Sequence, residues 1–178
     1  SVKQLNDLAP DAYYMNHITN HDRNSWDGTE FERYGEAVKS FAVMTYVWPG
    51  MPLIYTGQEV GMNRRLEFFV RDTPPTKEKN EWYEFYSSLN DLKHKSKALR
   101  AGEQGGELKV YETNNDNVLV ISRTLGEEEI LYIGNISNEE SSIHFVSELP
   151  EGDFENYFTK EQVSLPAELT LAPWDFLL

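Results

Sequence analysis

Three consecutive residues, Asn20-His21-Asp22, set an amide, an imidazole and a carboxylate directly after the apolar run Tyr13-Tyr14-Met15-Asn16-His17-Ile18-Thr19. Groups of this kind at one strand end can hold a ligand by hydrogen bonds and place charge beside it. The carboxyl end of a strand is where parallel α/β architectures put their chemistry. The same tripeptide also reads as a simple loop cap. Asn24, Trp26 and Asp27 follow on the same loop and are candidates for lining more distant parts of a site.

The elements around the tripeptide follow from local pattern. Residues 13–19 predict a buried strand. Thr29-Glu30-Phe31-Glu32 predicts a capping box, with the Thr29 hydroxyl on the third helical amide and Glu32 reaching back. Phe31, Tyr34, Val38, Phe41, Ala42 and Thr45 then share one helical face, and Trp48-Pro49-Gly50 stops the helix. Met51–Tyr55 is a second apolar strand, emptying into the polar elbow Thr56-Gly57-Gln58-Glu59. A long loop runs from Val60 to about Lys79, basic at Arg64-Arg65 and broken at Pro74-Pro75. A last helix, from about Asn80 to Lys97, stripes Trp82, Phe85, Tyr86, Leu89 and Leu92 along one face. Lys93, Lys95 and Lys97 sit at its negative pole. Strand, helix, strand, helix implies a parallel pair with a right-handed crossover.

After residue 100 the periodicity changes from 3.6 to 2. Eight short β-like runs succeed one another: 108–112, 118–123, 130–136, 141–146, 154–158, 162–165, 168–171 and 174–178. Asn114-Asn115-Asp116-Asn117, Gly126, Glu151-Gly152-Asp153 and Ala172-Pro173 are among the turns between them. This pattern predicts an antiparallel sandwich. No acids, bases or ligands cluster in it. It reads as a packing domain or as an accessory glycan-contacting module, and Trp174, the one Trp of this half, reads as core.

Charge divides the chain at the same place. Residues 1–100 hold 13 Lys+Arg against 14 Asp+Glu, and residues 101–178 hold 3 against 16, within a net charge of −14. That balance argues against nucleic acid as a partner. There is no Cys, hence no disulfide, thiolate metal site or cysteine nucleophile. No apolar run approaches the ~18–20 residues of a membrane span. The start, Ser1-Val2-Lys3, has no basic-then-apolar leader and enters a polar, helix-like stretch. Two strands cannot close a (β/α)₈ barrel of ~250 residues, so the chain is expected to be a piece of something longer.

Asn20-His21-Asp22, then Gly50-Met51-Pro52-Leu53-Ile54-Tyr55-Thr56-Gly57-Gln58-Glu59, then Phe68-Phe69 and a closing eight-strand segment together resemble the C-terminal third of α-amylase family enzymes, glycoside hydrolase family 13. The tripeptide alone is weak. The second motif some thirty residues downstream makes the pair specific, and the resemblance covers essentially the whole chain. It implies an α/β fragment, the last two β/α units of a TIM barrel over residues 1–100, followed over residues 101–178 by the all-β antiparallel Greek-key sandwich called domain C. It implies that Asp22 is the transition-state-stabilising carboxylate, that His21 hydrogen-bonds the sugar in the −1 subsite, and that Asn20 also binds substrate. An oxocarbenium-like transition state gains from nearby negative charge and from hydrogen bonds to ring hydroxyls.

The remaining candidates stand lower. His17 reads as structural. Glu59 reads as architectural or second to the site. Arg64-Arg65 reads either as a substrate clamp or as solvated loop charge, with Arg64 the candidate support. The family's nucleophile and acid/base, about 5–5.5 Å apart in retaining enzymes, come from strands 4 and 5. No Asp or Glu here matches either, so the chain alone is expected to be inactive. The family's calcium site also lies upstream, and no metal or cofactor is expected in this chain. The resemblance implies an α-glucan substrate such as starch or maltooligosaccharides and a periplasmic or extracellular parent whose signal peptide lies upstream. Two alternatives stay open: a non-catalytic glycan-binding or assembly module, and a transglycosylase of the same family, branching or trehalose-forming. Strands without their barrel neighbours should self-associate or swap.

Overall fold

A computed structural model describes residues 12–74, 78–146 and 152–178. The helix-like stretch at the N-terminus and Pro75 lie outside these residues. In the first half, strand β1 (Met15–Asn16) runs parallel to β2 (Met51–Pro52), with Met15 opposite Met51. Both strands are much shorter than the apolar runs that announce them. Each has only the other as a partner among the described residues, so the ladder has nothing on which to extend. At the β1–β2 junction Gly50 has φ +129°, and a Cβ there would lie 2.4 Å from the Tyr14 carbonyl oxygen, so no larger residue fits.

The helix expected over residues 29–47 is broken in two. Helix α1 (Glu30–Tyr34) ends at Gly35, whose φ of +54° cannot continue a helix; a 3₁₀ turn (Gly35–Ala37) re-aims the chain into α2 (Val38–Val47). The capping box forms as read, with the Glu32 N–H donating to Thr29 Oγ1 at 3.1 Å and the Thr29 N–H donating to Glu32 Oε2 at 2.7 Å. The C-terminus of α2 is closed from β1, where Asn16 Nδ2 donates to the Thr45, Trp48 and Pro49 carbonyls at 3.2–3.3 Å. Helix α3 (Glu81–Lys95) is capped by Asn80, whose side chain accepts from the Trp82 and Tyr83 amides. It buries Tyr86, Leu89 and Leu92, as its stripe predicts.

All eight strands of the second half form, several of them shortened: β3 (Glu107–Tyr111), β4 (Val118–Leu125), β5 (Glu128–Asn135), β6 (Ser141–His144), β7 (Phe154–Glu155), β8 (Gln162–Val163), β9 (Glu168–Leu171) and β10 (Phe176–Leu177). They pair antiparallel as a four-stranded sheet ordered β10-β5-β4-β3 and two pairs, β6–β9 and β7–β8. Trp174 is half-buried, at a φ of +60°, with its ring 6.3 Å from Phe41 of α2.

Strands β4 and β5 are apolar on both faces, because both faces are covered. Val118, Val120, Leu131 and Ile133 meet Tyr111, Ile143 and Leu171 on one side. Ile121 and Tyr132 meet Val38, Ala42, Val43, Leu89 and Leu99 on the other. A single core therefore crosses residue 100. Polar contacts button it: a buried one from Ser40 Oγ to Tyr132 OH at 2.8 Å, and a half-buried one from Tyr157 OH to the Ser88 carbonyl at 2.9 Å.

Candidate active site

Asn20-His21-Asp22 lies four residues beyond the end of β1, not at the strand end itself. Asp22 enters one tight turn of π-helix, Arg23–Asp27. Asn20 starts that turn by accepting from the Arg23 N–H at 2.8 Å through Oδ1. Its Nδ2 donates to His17 Nε2 at 3.1 Å, and His17 Nδ1 in turn donates to the Met15 carbonyl at 3.2 Å. The Asn20 side chain thus has a positioning contact at each end. His17 is exposed and latches β1 to the turn, a structural contact.

His21 and Asp22 are presented outward, their side chains 68% and 61% exposed and their nearest polar atoms 3.6 Å apart. Neither makes a closer polar side-chain contact among the described residues. Both are left free to meet a ligand's hydroxyl groups.

What holds them is mostly absent from local pattern. Arg33 of α1 reaches across the loop, its Nη2 donating to the Ile18 carbonyl at 2.5 Å and its Nε to the Gly28 carbonyl at 3.1 Å, so one guanidinium ties both ends of the site segment. Asn24 is buried. Its Oδ1 accepts from the Leu66 N–H at 2.7 Å and its Nδ2 donates to the Arg64 carbonyl at 3.2 Å. Ser25 Oγ donates to the Leu66 carbonyl at 2.7 Å. Asn24 is therefore a clamp between the two loops and not a lining residue. Asp27 is paired with Arg23 at 2.5 Å.

Arg64 and Arg65 are both engaged. Arg64 makes a two-point pair with Asp72 at 2.9 and 3.0 Å and also donates to the Thr73 carbonyl. Arg65 pairs with Glu32 at 2.8 and 3.2 Å, so the capping-box carboxylate also anchors the second loop. Arg64 holds the Asp72 carboxyl below its ordinary range, and Arg65 does the same for Glu32. These arginines tie the 63–73 loop while their side chains stay 41% and 48% exposed, as loop charges in contact with solvent do. In the elbow, Gln58 carries the architecture: Oε1 accepts from the Tyr55 N–H at 2.9 Å and Nε2 donates to Tyr86 OH at 2.7 Å. Glu59 sits half-buried on the neighbouring turn, with no hydrogen bond or ion pair among the described residues.

The clamped loop brings Phe68 and Phe69 to the tripeptide. The Phe68 ring stacks near His21 (6.1 Å, 25°) and lies 5.4 Å from Trp26 and 4.9 Å from Phe69. No group of three or more His, Cys, Asp or Glu among the described residues is arranged to hold a metal ion.

The site is thus a β/α segment with a carboxylate and an imidazole on one loop, packed on antiparallel β-structure. No protein-family model matches the chain. A curated relative, the cyclomaltodextrinase of Geobacillus thermopakistaniensis (strain MAS1), is 30% identical over 147 residues, which are 79% of this chain and 24% of that protein. Among solved structures, the maltogenic alpha-amylase AmyB of Thermotoga neapolitana superposes with a TM-score of 0.76 at 19% identity, over 92% of this chain and 40% of the other. The Nostoc punctiforme debranching enzyme superposes with a TM-score of 0.70 at 21% identity, over 99% of this chain and 36% of the other. The chain belongs with the α-amylase family, glycoside hydrolase family 13, as its motifs imply. It spans about a quarter of the length of the curated relative it matches.

Proposed function

We propose that the chain is the C-terminal portion of an α-glucan-acting retaining hydrolase, acting on starch or maltooligosaccharides. On this reading residues 1–100 are barrel strands 7 and 8 with their helices, and residues 101–178 are domain C. Asp22 stabilises the oxocarbenium-like transition state and His21 hydrogen-bonds the sugar beside it. Asn20, Arg33 and Asn24 position them, and Glu59 and Arg64 stand behind the site. The nucleophile and the acid/base would come from the upstream part, as would any calcium site. A periplasmic or extracellular setting goes with such a substrate.

The observation that carries this reading is the presentation of Asp22 and His21. They are exposed on one turn that Asn20, Arg33 and Asn24 hold in place by hydrogen bonds. Rigid placement of an uncommitted carboxylate is what electrostatic transition-state stabilisation requires. The test is reducing-sugar release from starch. The 178-residue chain should release none. In the longer enzyme, Asp22→Asn should lower kcat by about 10²–10³-fold, the cost of removing one preorganised stabilising group. A variant within a few-fold of the parent would reject the assignment.

A second reading, a glycan-binding module without catalysis, is favoured by one observation, the exposed aromatic rings beside Asp22. The presence of the strand-4 Asp and strand-5 Glu upstream separates it from the first. Product analysis separates hydrolase from transglycosylase.

A further inference from the structure

The carbonyls at the end of α2 and in the turn after it are closed from three directions. Those of Thr45, Trp48 and Pro49 accept from Asn16 Nδ2 of β1 at 3.2–3.3 Å. Those of Tyr46 and Gly50 accept from Lys93 Nζ of α3 at 3.1 and 2.9 Å. That of Val47 accepts from Arg123 Nη1 of β4 at 3.0 Å. Six consecutive carbonyls, residues 45–50, therefore take side-chain donors from other elements. The sequence explains why they are open to such donors. The helical partner of the Thr45 carbonyl would be the amide of Pro49, and that of the Trp48 carbonyl the amide of Pro52; proline has no N–H. The amides of Met51 and Leu53 stand in the same relation to Val47 and Pro49, but they donate to the Tyr14 and Asn16 carbonyls of β1, both at 2.8 Å.

We infer that Asn16 is a positioning residue for His21 and Asp22, holding their turn at a fixed height over the capped end of α2. A donor from any element would satisfy these carbonyls, but only one on β1 also fixes the site strand against the helix. The Asn16 amide has two hydrogens for three carbonyls, so it is centred among them and not free to follow one. A Cβ at residue 50 would stand 3.0 Å from Asn16 Nδ2, so Gly50 leaves the room this amide needs. Its own carbonyl is held by the Leu53 N–H, which locks the residue at both ends. The ties then continue along the chain. His17 bonds to Asn20, Arg33 holds the Ile18 carbonyl, and Asn20 opens the turn that bears His21 and Asp22. The placement of the turn does not depend on the chemistry done there; its consequence for turnover rests on the reading of Asp22 and His21 as sugar-facing. A misplacement of about 1 Å far from the reacting atoms can cost about 10²-fold in rate.

The experiment reads the 178-residue chain by NMR. The His21 ring lies 6.1 Å from the Phe68 ring at 25°, so its resonances carry a ring-current shift that reports where the turn stands. The Arg23 amide, bonded to Asn20 Oδ1, reports by its hydrogen exchange how often the turn opens. Asn16→Leu removes the donors at similar volume. In it the His21 signal, assigned by its loss in His21→Ala, should move toward that of a free histidine. The Arg23 amide should exchange about tenfold faster, as the loss of one or two net hydrogen bonds implies. Ile143→Val, a core change in the all-β half, should leave both unchanged. A folded Asn16→Leu chain with the parent's His21 shift and Arg23 exchange overturns the inference, and so does an equal displacement in Ile143→Val. If Asn16→Leu does not fold, Asn16→Ser, which keeps one short donor, is read by the same two signals and the same criterion. In the longer enzyme Asn16→Leu should lower kcat by up to about 10²-fold. The NMR result is separate from the turnover test. A displaced His21 together with an active Asp22→Asn enzyme would reject the catalytic assignment and keep the role of Asn16. An undisturbed His21 with an inactive Asp22→Asn enzyme would do the reverse.

Discussion

Arg123 Nη1 donates to the Val47 carbonyl at 3.0 Å, across 76 residues of sequence. The same guanidinium donates to the Gly106 carbonyl at 2.9 Å and to the Arg100 carbonyl at 3.2 Å. Arg123 is buried, and these three hydrogen bonds all go to backbone oxygens. Its charge is held at the negative end of α2, where the last carbonyls lack helical partners. It is the bolt between the helical half and the sheet.

Arg123→Lys should therefore not be a mild change. A lysine ammonium is a single point and cannot span three carbonyls set around a planar fork. Charge-assisted hydrogen bonds are worth about 1.5–3 kcal/mol each, and losing two of them, offset by easier desolvation, should lower stability by about 2–4 kcal/mol. Urea unfolding of the chain measures it. A loss below ~0.5 kcal/mol, the range of an ordinary surface change, would show that the carbonyls find other partners.

Lys93 supplies a second cation at the same helix end, donating to the Tyr46 carbonyl at 3.1 Å and the Gly50 carbonyl at 2.9 Å. Burial, and secondarily the charge of Arg123, push its ammonium down to about 8 from 10.5. Between those values the unfolded chain holds a proton that the folded chain has released, so stability should rise with pH. Tyr132 works the other way. Burial pushes its phenol from 10.0 up to about 12, and those of Tyr46 and Tyr86 are also raised. Above about pH 10 the unfolded chain ionises phenols that the folded chain keeps neutral, and stability should fall. Melting temperatures across pH 7–11 should pass through a maximum at about pH 9–10. In Lys93→Met the rise between 8 and 10 should vanish while the fall remains. A wild-type profile that declines steadily from pH 7 would refute the assignment.

The β1–β2 ladder predicts association. Tyr13, Tyr14, Met15 and Met51 are large and exposed around a sheet of only two strands. An apolar sheet edge of this kind pairs with other chains. Light scattering of the 178-residue chain should give a dimer or larger species, and Met51→Lys should shift it toward monomer, because an edge lysine opposes pairing. A wild-type monomer at high concentration would contradict this.

Much of the fold could be read from local spacing. Thr29 and Glu32 are three residues apart, and the capping box they predict forms. The stripe from Trp82 to Leu92 turns inward as helix α3, and the period-2 runs after residue 100 become strands. The family could be read as well, from two motifs thirty residues apart. Where local reading stopped short, one residue or one distant partner intervened. Gly35 breaks a helix whose apolar face looks continuous on either side of it. The runs at 118–123 and 130–136 read as alternating sandwich strands, and only the packed chain shows that α2 covers their second face.

The sequence by itself determined which residues could do chemistry, because residue type and local spacing are properties of neighbours. His21, Asp22 and the strand that precedes them are written consecutively. Only the tertiary structure decided what holds them. Arg33 grips Ile18 and Gly28, Asn24 grips Leu66 forty-two residues away, and Arg64 ties its loop to Asp72. Hydrogen-bond donors and acceptors are too common in a sequence to announce their partners. Distance in space chooses among them, and that distance exists only once the apolar faces have closed on one another.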